Sequence, residues 1–265
     1  MDYVAPSTLE EAYRALEADD ALCLAGGQSL VAMMNLGLIA PSRLVSLRRI
    51  AALRGVAAEP DGGLRIGAMT THAELAELDV AAAGPALLAR AARVVAYPAV
   101  RAWGTIGGSV AHADPAADYP VALVAADASI EVGSPAGHRR IAAREFFRGL
   151  FDTALARREI VTAIHVPAGP QGGGAAYEKL SLVAGDFAIL SVAAIVTRTA
   201  QVAIGGCGPR PLHAKGLELA DASLLEAGRR IAAECDPPSD HRASAAYRRK
   251  VLPELIRRAV RAAQR

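Results

Sequence analysis

The order of hydrophobic and polar positions in the first 170 residues predicts strands and helices in alternation. Short apolar runs bounded by glycine or polar residues predict strands, and apolar positions three or four residues apart predict helices. The predicted strands are ALCLAG (21–26), RLVSL (43–47), DGGLRIGAM (61–69) and EIVTAIHVP (159–167), with a hairpin of SIEV (129–132) and RRIAA (139–143). The predicted helices cover residues 6–18, 28–35, 72–78, 84–96 and 119–128.

Local residue choices predict where three of these helices begin. Ser or Thr followed three residues later by Glu is a capping box, and this spacing occurs at residues 7–11 and at Thr71 with Glu74. Pro85 is predicted at the first position of its helix, where a missing N–H breaks no hydrogen bond.

The pattern changes after residue 170. Three apolar stretches, 175–182, 186–197 and 201–208, follow one another with no helical pattern between them and predict consecutive antiparallel strands. The rest of the chain, from Pro211, is predicted to be helical except around residues 235–240.

These patterns predict an α+β protein with two domains that meet near residues 168–174. A chain of 265 residues is long enough for two domains of ordinary size. Residues 1–170 would form the first domain, and residues 171–265 a smaller second domain in which helices accompany an antiparallel sheet.

Charge narrows the range of functions. The 29 basic and 27 acidic residues leave a formal net charge of +2, and only 4% of the residues are aromatic. Arginines gather near the C-terminus, but acids lie among them and no aromatic platform accompanies them. They predict a solvated helical face or a protein interface, and no nucleic-acid site.

Cysteine usage and hydropathy exclude further classes. Cys23, Cys207 and Cys235 are too few to hold an iron–sulfur cluster by four thiolates, and their spacing is not that of a zinc site. Few cysteines and no N-terminal signal pattern predict a cytoplasmic protein. The longest apolar runs, such as residues 189–196, are too short to cross a bilayer, so no membrane span is predicted.

Two stretches of similar composition carry the candidate chemistry. CLAGGQSLVAM (23–33) and RAWGTIGGSVAHADPAADYP (101–120) each place paired glycines after apolar residues and before a small hydroxyl residue. Glycine lets a ligand approach the backbone, and consecutive N–H groups in a glycine turn form an anion-binding concavity. A helix that starts directly after such a turn adds its own free N–H groups and its dipole.

The two motifs together suit a ligand with linked phosphates. Neither core motif contains Lys or Arg, so backbone N–H groups and hydroxyls would hold the phosphate. A diphosphate presents more acceptor oxygens than one turn can satisfy, so we interpret the two motifs as converging on one pyrophosphate. Asp118 would then accept hydrogen bonds from ribose hydroxyls, and Asp114 would help to shape its turn. Two ordinary tight turns are the alternative.

Other common nucleotide and catalytic motifs fit poorly. The chain contains no GxGxxG, no GxxxxGK[ST] and no GxSxG, which disfavours a Rossmann site, a P-loop NTPase and a serine nucleophile elbow. His112 lies close to Asp114 and Asp118 in the chain, but no catalytic serine or metal set accompanies it. A structural role is therefore favoured for His112.

Five segments taken together show a family resemblance. AGGQSLVAMM, LRIGAMTTHAELA, VRAWGTIGGSVAHADPAADYPVALVAADA, YEKLSLVAGDFAILSVAA and IGGCGPRP occur in this order. They resemble the FAD-binding, medium subunit of the molybdenum hydroxylases, which include aerobic carbon monoxide dehydrogenase and the xanthine and nicotinate dehydrogenase-like enzymes. The resemblance covers nearly the whole chain. The pair of AGGQS and TIGGS at this spacing is specific, whereas either motif alone is weak.

The resemblance implies an FAD-binding domain of the vanillyl-alcohol-oxidase (PCMH) type followed by a C-terminal α+β domain. The glycine motifs would bind the FAD diphosphate, Asp118 the ribose region, and Lys179 would lie near the flavin. For Lys179, the alternative to a position near the flavin is a solvated strand end. For Tyr177, the alternatives are a core position and a contact with the isoalloxazine. The candidate cofactor-binding residues are Leu24, Ala25, Gly26, Gly27, Gln28, Ser29, Leu30, Gly67, Ala68, Thr105, Gly107, Gly108, Ser109, Ala113, Asp114, Asp118, Val161 and Lys179.

The resemblance also implies partners and a reaction. A large subunit would carry a molybdenum pterin and hydroxylate the substrate, and a small subunit would carry two [2Fe–2S] clusters, in a dimer of heterotrimers. This chain would accept electrons from the clusters and pass them through FAD to NAD, a quinone or oxygen. The flavin performs the redox chemistry, so no catalytic acid–base residue and no metal site are expected in this chain.

Some positions depart from the family pattern. Family members often have proline and a basic residue after the first motif, where this chain has Asn35 and Gly37. They often have Asn before the second motif, where it has Ala102. Trp103, the next residue, is interpreted as a core residue, with a position that covers the cofactor as the alternative.

Two other functions stay open at this point. An assembly module that keeps the fold without FAD is disfavoured, because such a module need not retain two close-approach glycine pairs. A free-standing NAD(P)H-dependent flavin reductase has no second dinucleotide motif to support it, although nicotinamide can stack on a flavin without one.

Overall fold

The computed structural model describes all 265 residues. Its strands are β1 (Asp2–Val4), β2 (Ala21–Leu24), β3 (Arg43–Ser46), β4 (Val56–Ala58), β5 (Leu64–Gly67), β6 (Ser129–Ser134), β7 (Gly137–Ala142), β8 (Phe147–Gly149), β9 (Asp152–Thr153), β10 (Ile160–Val166), β11 (Gly174–Leu180), β12 (Leu190–Val196), β13 (Ala200–Gly205) and β14 (Leu212–Leu217). Its helices are α1 (Leu9–Ala15), α2 (Leu30–Asn35), α3 (His72–Ala76), α4 (Ala83–Arg93), α5 (Pro98–Arg101), α6 (Ile106–His112), α7 (Asp118–Ala125), α8 (Ala143–Phe146), α9 (Asp221–Glu234) and α10 (Ala245–Ala263). Two short 3₁₀ turns, Leu47–Arg49 and Ala51–Leu53, follow β3.

The strands form three main sheets. The first is a small parallel sheet in the order β1-β3-β2. Parallel neighbours need crossover connections, and α1 and α2 lie in them. The second sheet, β4-β5-β10-β6-β7, and the third, β11-β12-β13-β14, are antiparallel, and β8 with β9 forms a separate ribbon.

The third sheet is covered by helices on both faces. α4 and α7 pack on one face, and α10 packs on the other. Alternate residues of β12 therefore enter different cores, Ala193 and Ile195 the larger one and Val192 and Ala194 the one under α10. Burial on both faces explains why β12 is apolar at every position except Ser191. α7 is buried along its whole length for the same reason.

The observed architecture confirms the predicted α+β class and most of the predicted elements. The three consecutive antiparallel strands after residue 170 are β11, β12 and β13. The capping box of α3 is present, because the Glu74 N–H donates to Thr71 Oγ1 at 3.2 Å and the Thr71 N–H donates to Glu74 Oε2 at 2.7 Å. None of the helices combines the length and hydropathy needed to cross a bilayer.

Two predictions about elements are wrong. Pro85 is the third residue of α4, because the helix starts at Ala83 and the Gly84 N–H finds its acceptor outside the helix, at the Ala168 carbonyl 3.0 Å away. Residues 212–217 form β14 and not a helix. Their sequence, LHAKGL, has little alternation, but β13 offers a free edge and β14 pairs with it.

Candidate functional site

The first glycine motif lies where a ligand crevice is expected in a parallel sheet. β2 and β3 are adjacent and parallel, so the segments that follow them leave the sheet at the same edge. The motif, residues 25–29, follows β2, and the 3₁₀ turn Leu47–Arg49 follows β3. Ligands of open sheets bind outside the carboxyl ends of the strands. Gly27 has φ of +75°, a conformation that other residues adopt only with strain.

The backbone of the first motif is rich in free donors. None of the N–H groups of residues 25–29 donates a hydrogen bond within the chain. α2 starts at Leu30, two residues later than predicted, and the Ser29 hydroxyl at its N-cap bonds to no backbone group. Leu24 and Leu30 bracket the motif as the last residue of β2 and the first of α2. The motif therefore presents consecutive N–H groups and a hydroxyl, the donor set of an anion site.

The second glycine motif is not the turn with consecutive free N–H groups that we predicted. Gly107 and Gly108 lie in the first turn of α6, which Thr105 caps. Their N–H groups are used, that of Gly107 by the Ala68 carbonyl at 2.8 Å and that of Gly108 by Thr105 Oγ1 at 3.2 Å. The Ser109 N–H donates to the Thr105 carbonyl at 3.0 Å, which leaves the Ser109 hydroxyl and the Thr105 N–H of this motif without a partner.

Close approach, not a turn, explains the glycine at position 107. A Cβ there would lie 2.5 Å from the Cβ of Ala68, closer than two carbon atoms can come. The absence of a side chain lets α6 pack directly on the end of β5, where Gly67 precedes Ala68. The Ala68 N–H in turn donates to the Thr162 carbonyl of β10 at 3.0 Å. Val161, the preceding residue of β10, is buried in the largest core.

The two motifs are in contact although they are far apart in the chain. A Cβ on Gly26 would lie 2.7 Å from the Cα of Gly104, beside the Trp103 carbonyl. A Cβ on Gly108 would lie 3.3 Å from the Cβ of Ala25. The structure therefore places the free N–H groups of the first motif against the start of α6, as convergence on one ligand requires.

A second group of candidate residues surrounds a buried ion pair. Lys179 Nζ on β11 donates to Asp118 Oδ2 at 2.9 Å and to the Val94 carbonyl at 3.1 Å. The Tyr177 hydroxyl donates to Asp118 Oδ1 at 2.8 Å. The side chains of Lys179 and Asp118 are only 7% and 6% exposed, so the solvated strand end considered for Lys179 is wrong. These contacts join α7 to the third sheet.

Burial dominates the electrostatics of this group. It raises the pKa of Asp118, while the Lys179 charge and the two hydrogen bonds act in the opposite direction. Burial also raises the pKa of Tyr177 well above its usual range, so the phenol stays a donor. Asp118 therefore has a donor on each oxygen before any ligand is considered.

The segment between α6 and α7 aims Asp118 into this position. Ala113 ends α6 in the left-handed region, with φ of 51°. Asp114 Oδ1 then accepts the Ala116 N–H at 2.8 Å, which shapes the turn as predicted. His112 stacks on Phe151 with ring centroids 4.9 Å apart, a structural contact of the kind favoured for it.

His72 contacts the residue that precedes the second motif. Its backbone N–H donates to the Gly104 carbonyl at 3.0 Å, and its ring lies against Gly104, where an added Cβ would come within 2.6 Å of Nε2. Its Nδ1 lies 3.0 Å from the Tyr119 hydroxyl. Burial, with a smaller effect of the Arg101 charge, lowers the pKa of His72 to about 4, so the ring is neutral at pH 7.

Trp103 and Arg48 were not identified as a pair by the sequence. The prediction of a core position for Trp103 is wrong, because 51% of the residue is exposed and its carbonyl, not its ring, packs on Gly26. The Arg48 guanidinium lies over the indole, 4.2 Å from the ring centroid. Arg48 is in the 3₁₀ turn after β3, and no local pattern connects it with Trp103.

Two family models together match nearly the whole chain. The family model described as the FAD binding domain in molybdopterin dehydrogenase matches residues 1–169. The model described as the CO dehydrogenase flavoprotein C-terminal domain matches residues 175–263.

Individual relatives match over nearly their full length. The chain is 36% identical to the carbon monoxide dehydrogenase medium chain of Hydrogenophaga pseudoflava, over 99% of this chain and 96% of that one. It is 35% identical to the glyceraldehyde dehydrogenase medium chain of Sulfolobus acidocaldarius, over 97% of this chain and 96% of that one. A crystal structure of Cu,Mo-CO dehydrogenase in its cyanide-inactivated form superposes with a TM-score of 0.94 at 35% identity, over 100% of this chain and 97% of that one.

Proposed function

The chain belongs to the FAD-binding medium-subunit family of the molybdenum hydroxylases, and from this premise we propose that it is the electron-transfer subunit of such an oxidoreductase. FAD is its cofactor. We propose that it accepts electrons from [2Fe–2S] clusters of a small partner subunit and passes them to an external acceptor, NAD, a quinone or oxygen. A large subunit with a molybdenum pterin would act on the substrate, in a cytoplasmic dimer of heterotrimers.

The observation that carries this proposal is the row of free N–H groups at residues 25–29. A diphosphate presents acceptor oxygens, and unpaired backbone donors beside a glycine with positive φ are the groups that bind such oxygens. The hydroxyls of Ser29 and Ser109 add donors from both motifs. The residues present therefore fit FAD, with residues 24–30 and 105–109 holding the diphosphate and Gly67, Ala68 and Val161 lining the site.

The remaining candidates would orient the cofactor. FAD supplies the exchange between two-electron and one-electron carriers, and the protein supplies binding and orientation. We propose that Asp118 receives the ribose region and that Lys179 lies near the flavin, held in place by the ion pair between them. Asp114 and Ala113 set the backbone that leads to Asp118. The pair also ties the proposed first domain, residues 1–170, to the proposed second domain, residues 171–265.

The first test is whether the chain carries FAD. The purified protein should show the absorption bands of an oxidised flavin, and chromatography of the released cofactor should identify FAD in one-to-one ratio. Gly27→Ala should lower the FAD content, because it strains the loop that presents the N–H groups. Gly172→Ala is the matched control, since Gly172 also has positive φ, 69° against 75° for Gly27, but lies in a different loop.

The outcomes separate this function from an assembly module. A folded wild-type chain that is colourless and does not bind added FAD would contradict the proposal and favour the module. Equal FAD loss in the Gly27 and Gly172 variants would show that strain, and not the site, controls binding.

The direction of electron flow needs the assembled enzyme. The chain should co-purify with a partner that carries iron–sulfur clusters, and substrate added to the complex should bleach the flavin bands. Reoxidation can then be followed with NAD, a quinone or oxygen supplied separately. Reduction of the isolated chain by NAD(P)H at catalytic rates, with no partner present, would instead favour a free-standing flavin reductase.

A further inference from the structure

A cation and an aromatic ring form a stacked pair beside the first glycine motif. Arg48 contributes the guanidinium and Trp103 the indole, with 4.2 Å between the guanidinium carbon and the ring centroid. Both side chains are exposed, so the pair does not belong to a core. An exposed aromatic ring layered with a guanidinium is a surface on which a nucleobase can stack.

The position of this pair follows from the fold. Arg48 lies after β3 and the glycine motif after β2, the neighbouring parallel strand. The backbone of Trp103 is held against the first glycine motif. Its carbonyl packs on Gly26 so closely that no side chain would fit at position 26. The stacked pair therefore adjoins the row of free N–H groups without being part of it.

The positive charge of the arginines that follow β3 is not neutralised within the chain. Arg48, Arg49 and Arg54 are all exposed, and none of them forms an ion pair in the structure. The Arg54 guanidinium donates to the Arg48 carbonyl at 2.7 Å, which keeps these residues together. Unpaired arginines beside an anion site favour a ligand that carries phosphate.

We propose that Arg48 and Trp103 form the adenine subsite of the cofactor site, so that this chain selects a dinucleotide flavin over a flavin mononucleotide. This inference rests on the proposed function, since it extends the diphosphate site to one of its two ends. The contacts of the Asp118–Lys179 pair are with Tyr177 and Val94, so that pair and the stacked pair are separate groups. The adenine base alone would stack on this pair, and its ribose, the diphosphate and the flavin would extend from it toward Asp118 and Lys179.

Trp103 is the single tryptophan of the chain, which makes the subsite directly observable. Its fluorescence reports only on this position. ADP is a suitable probe, because it has the adenine and the diphosphate but no flavin to absorb the emission. Titration of the full-length, cofactor-free chain with ADP should quench Trp103 saturably, and inorganic pyrophosphate should not. No quenching by ADP would overturn the proposal.

Variants distinguish stacking from general charge. Trp103→Ala should weaken FAD binding by about 5- to 150-fold, the range for loss of one base stacked on an aromatic ring, and should leave FMN binding unchanged. Trp103→Tyr should restore most of the FAD affinity. Arg48→Gln should weaken FAD binding more than Arg49→Gln, the matched control that removes the same charge without touching the ring.

The results separate this inference from the proposed function. A wild-type chain that binds FAD, with a Trp103→Ala variant that binds FAD equally well or loses FAD and FMN to the same extent, overturns the adenine subsite alone. A folded wild-type chain that binds neither FAD nor ADP overturns both proposals. Thermal melting of each variant checks folding, and we expect little change because the ring is half exposed.

Discussion

The contact between the two glycine motifs can be tested at Gly26. Replacement by alanine adds one Cβ, which would lie 2.7 Å from the Cα of Gly104 and 2.9 Å from the carbonyl carbon of Trp103. Carbon atoms that are not bonded pack at about 3.5–4.0 Å, so this methyl group does not fit. The φ of Gly26 is not positive, so the expected effect is steric and not a backbone preference.

The size of the effect depends on whether the neighbours can move. The obstructing atoms are backbone, and Gly104 is held by the bond from its N–H to the Val100 carbonyl at 2.8 Å and by the bond it accepts from His72 at 3.0 Å. Overpacking in a tight site costs about 1–3 kcal/mol, and a rigid backbone favours the upper end. With about 2–4 °C of melting temperature per kcal/mol in a chain of this size, we expect a decrease of roughly 6–12 °C.

FAD affinity should fall as well, because separation of the motifs moves the free N–H groups away from α6. A loss of about 1.4 kcal/mol of binding free energy lowers affinity tenfold, and we expect the FAD affinity of the variant to fall by at least about tenfold. The assay combines thermal melting of the cofactor-free chain with FAD titration. Gly208→Ala is the control, because its nearest neighbour to an added Cβ is the Arg210 carbonyl oxygen at 3.9 Å.

A Gly26→Ala variant that binds FAD like the Gly208→Ala control and melts within about 1 °C of it would contradict this prediction. That margin corresponds to a few tenths of a kcal/mol at about 2–4 °C per kcal/mol. Such a result would mean that the motifs are not pressed together in solution. A variant that melts lower but binds FAD normally would mean that the contact supports the fold and not the site.

Three further predictions concern buried polar groups. Asp118→Asn and Lys179→Met should each lower the free energy of unfolding by about 3–5 kcal/mol, since each leaves a buried partner uncompensated, and the double variant should lose less than the sum in denaturant titrations. Burial lowers the pKa of His72 from its ordinary 6.5 to about 4. Between pH 6.5 and pH 4 the His72 ring is therefore protonated in the unfolded chain but not in the folded one, so the free energy of unfolding should fall as the pH drops through this range. His72→Gln should flatten that part of the pH profile. Arg248 is buried and makes two bonds of 2.9 Å to Asp240, whose side chain is 31% exposed, so Arg248→Met should destabilise by about 1–3 kcal/mol, and unchanged melting would contradict a structural role.

Local sequence patterns predicted those features that depend on neighbouring residues. The α3 capping box needs only the spacing between Thr71 and Glu74. The strands β11 to β13 follow from short apolar runs. β14 was missed because its residues carry almost no pattern, and it forms only where β13 offers an edge.

The errors at the site have a common physical origin. Paired glycines usually indicate a turn, yet Gly107 is needed because Ala68 approaches it closely from another element. A large apolar residue usually indicates core, yet Trp103 packs through its carbonyl and exposes its ring. In both cases the deciding contact is with a residue that is distant in the chain.

The sequence by itself determined the α+β class, the order of most elements, the two glycine motifs and the family. These features depend on periodicity and on hydrogen bonds between residues a few positions apart. Tertiary structure alone decided that the motifs touch, that the row of consecutive free N–H groups lies in the first motif, and that Lys179 is paired with Asp118 inside the protein. It also brought Arg48 over Trp103. These contacts join separate elements, and packing of the sheets and helices decides which distant groups meet.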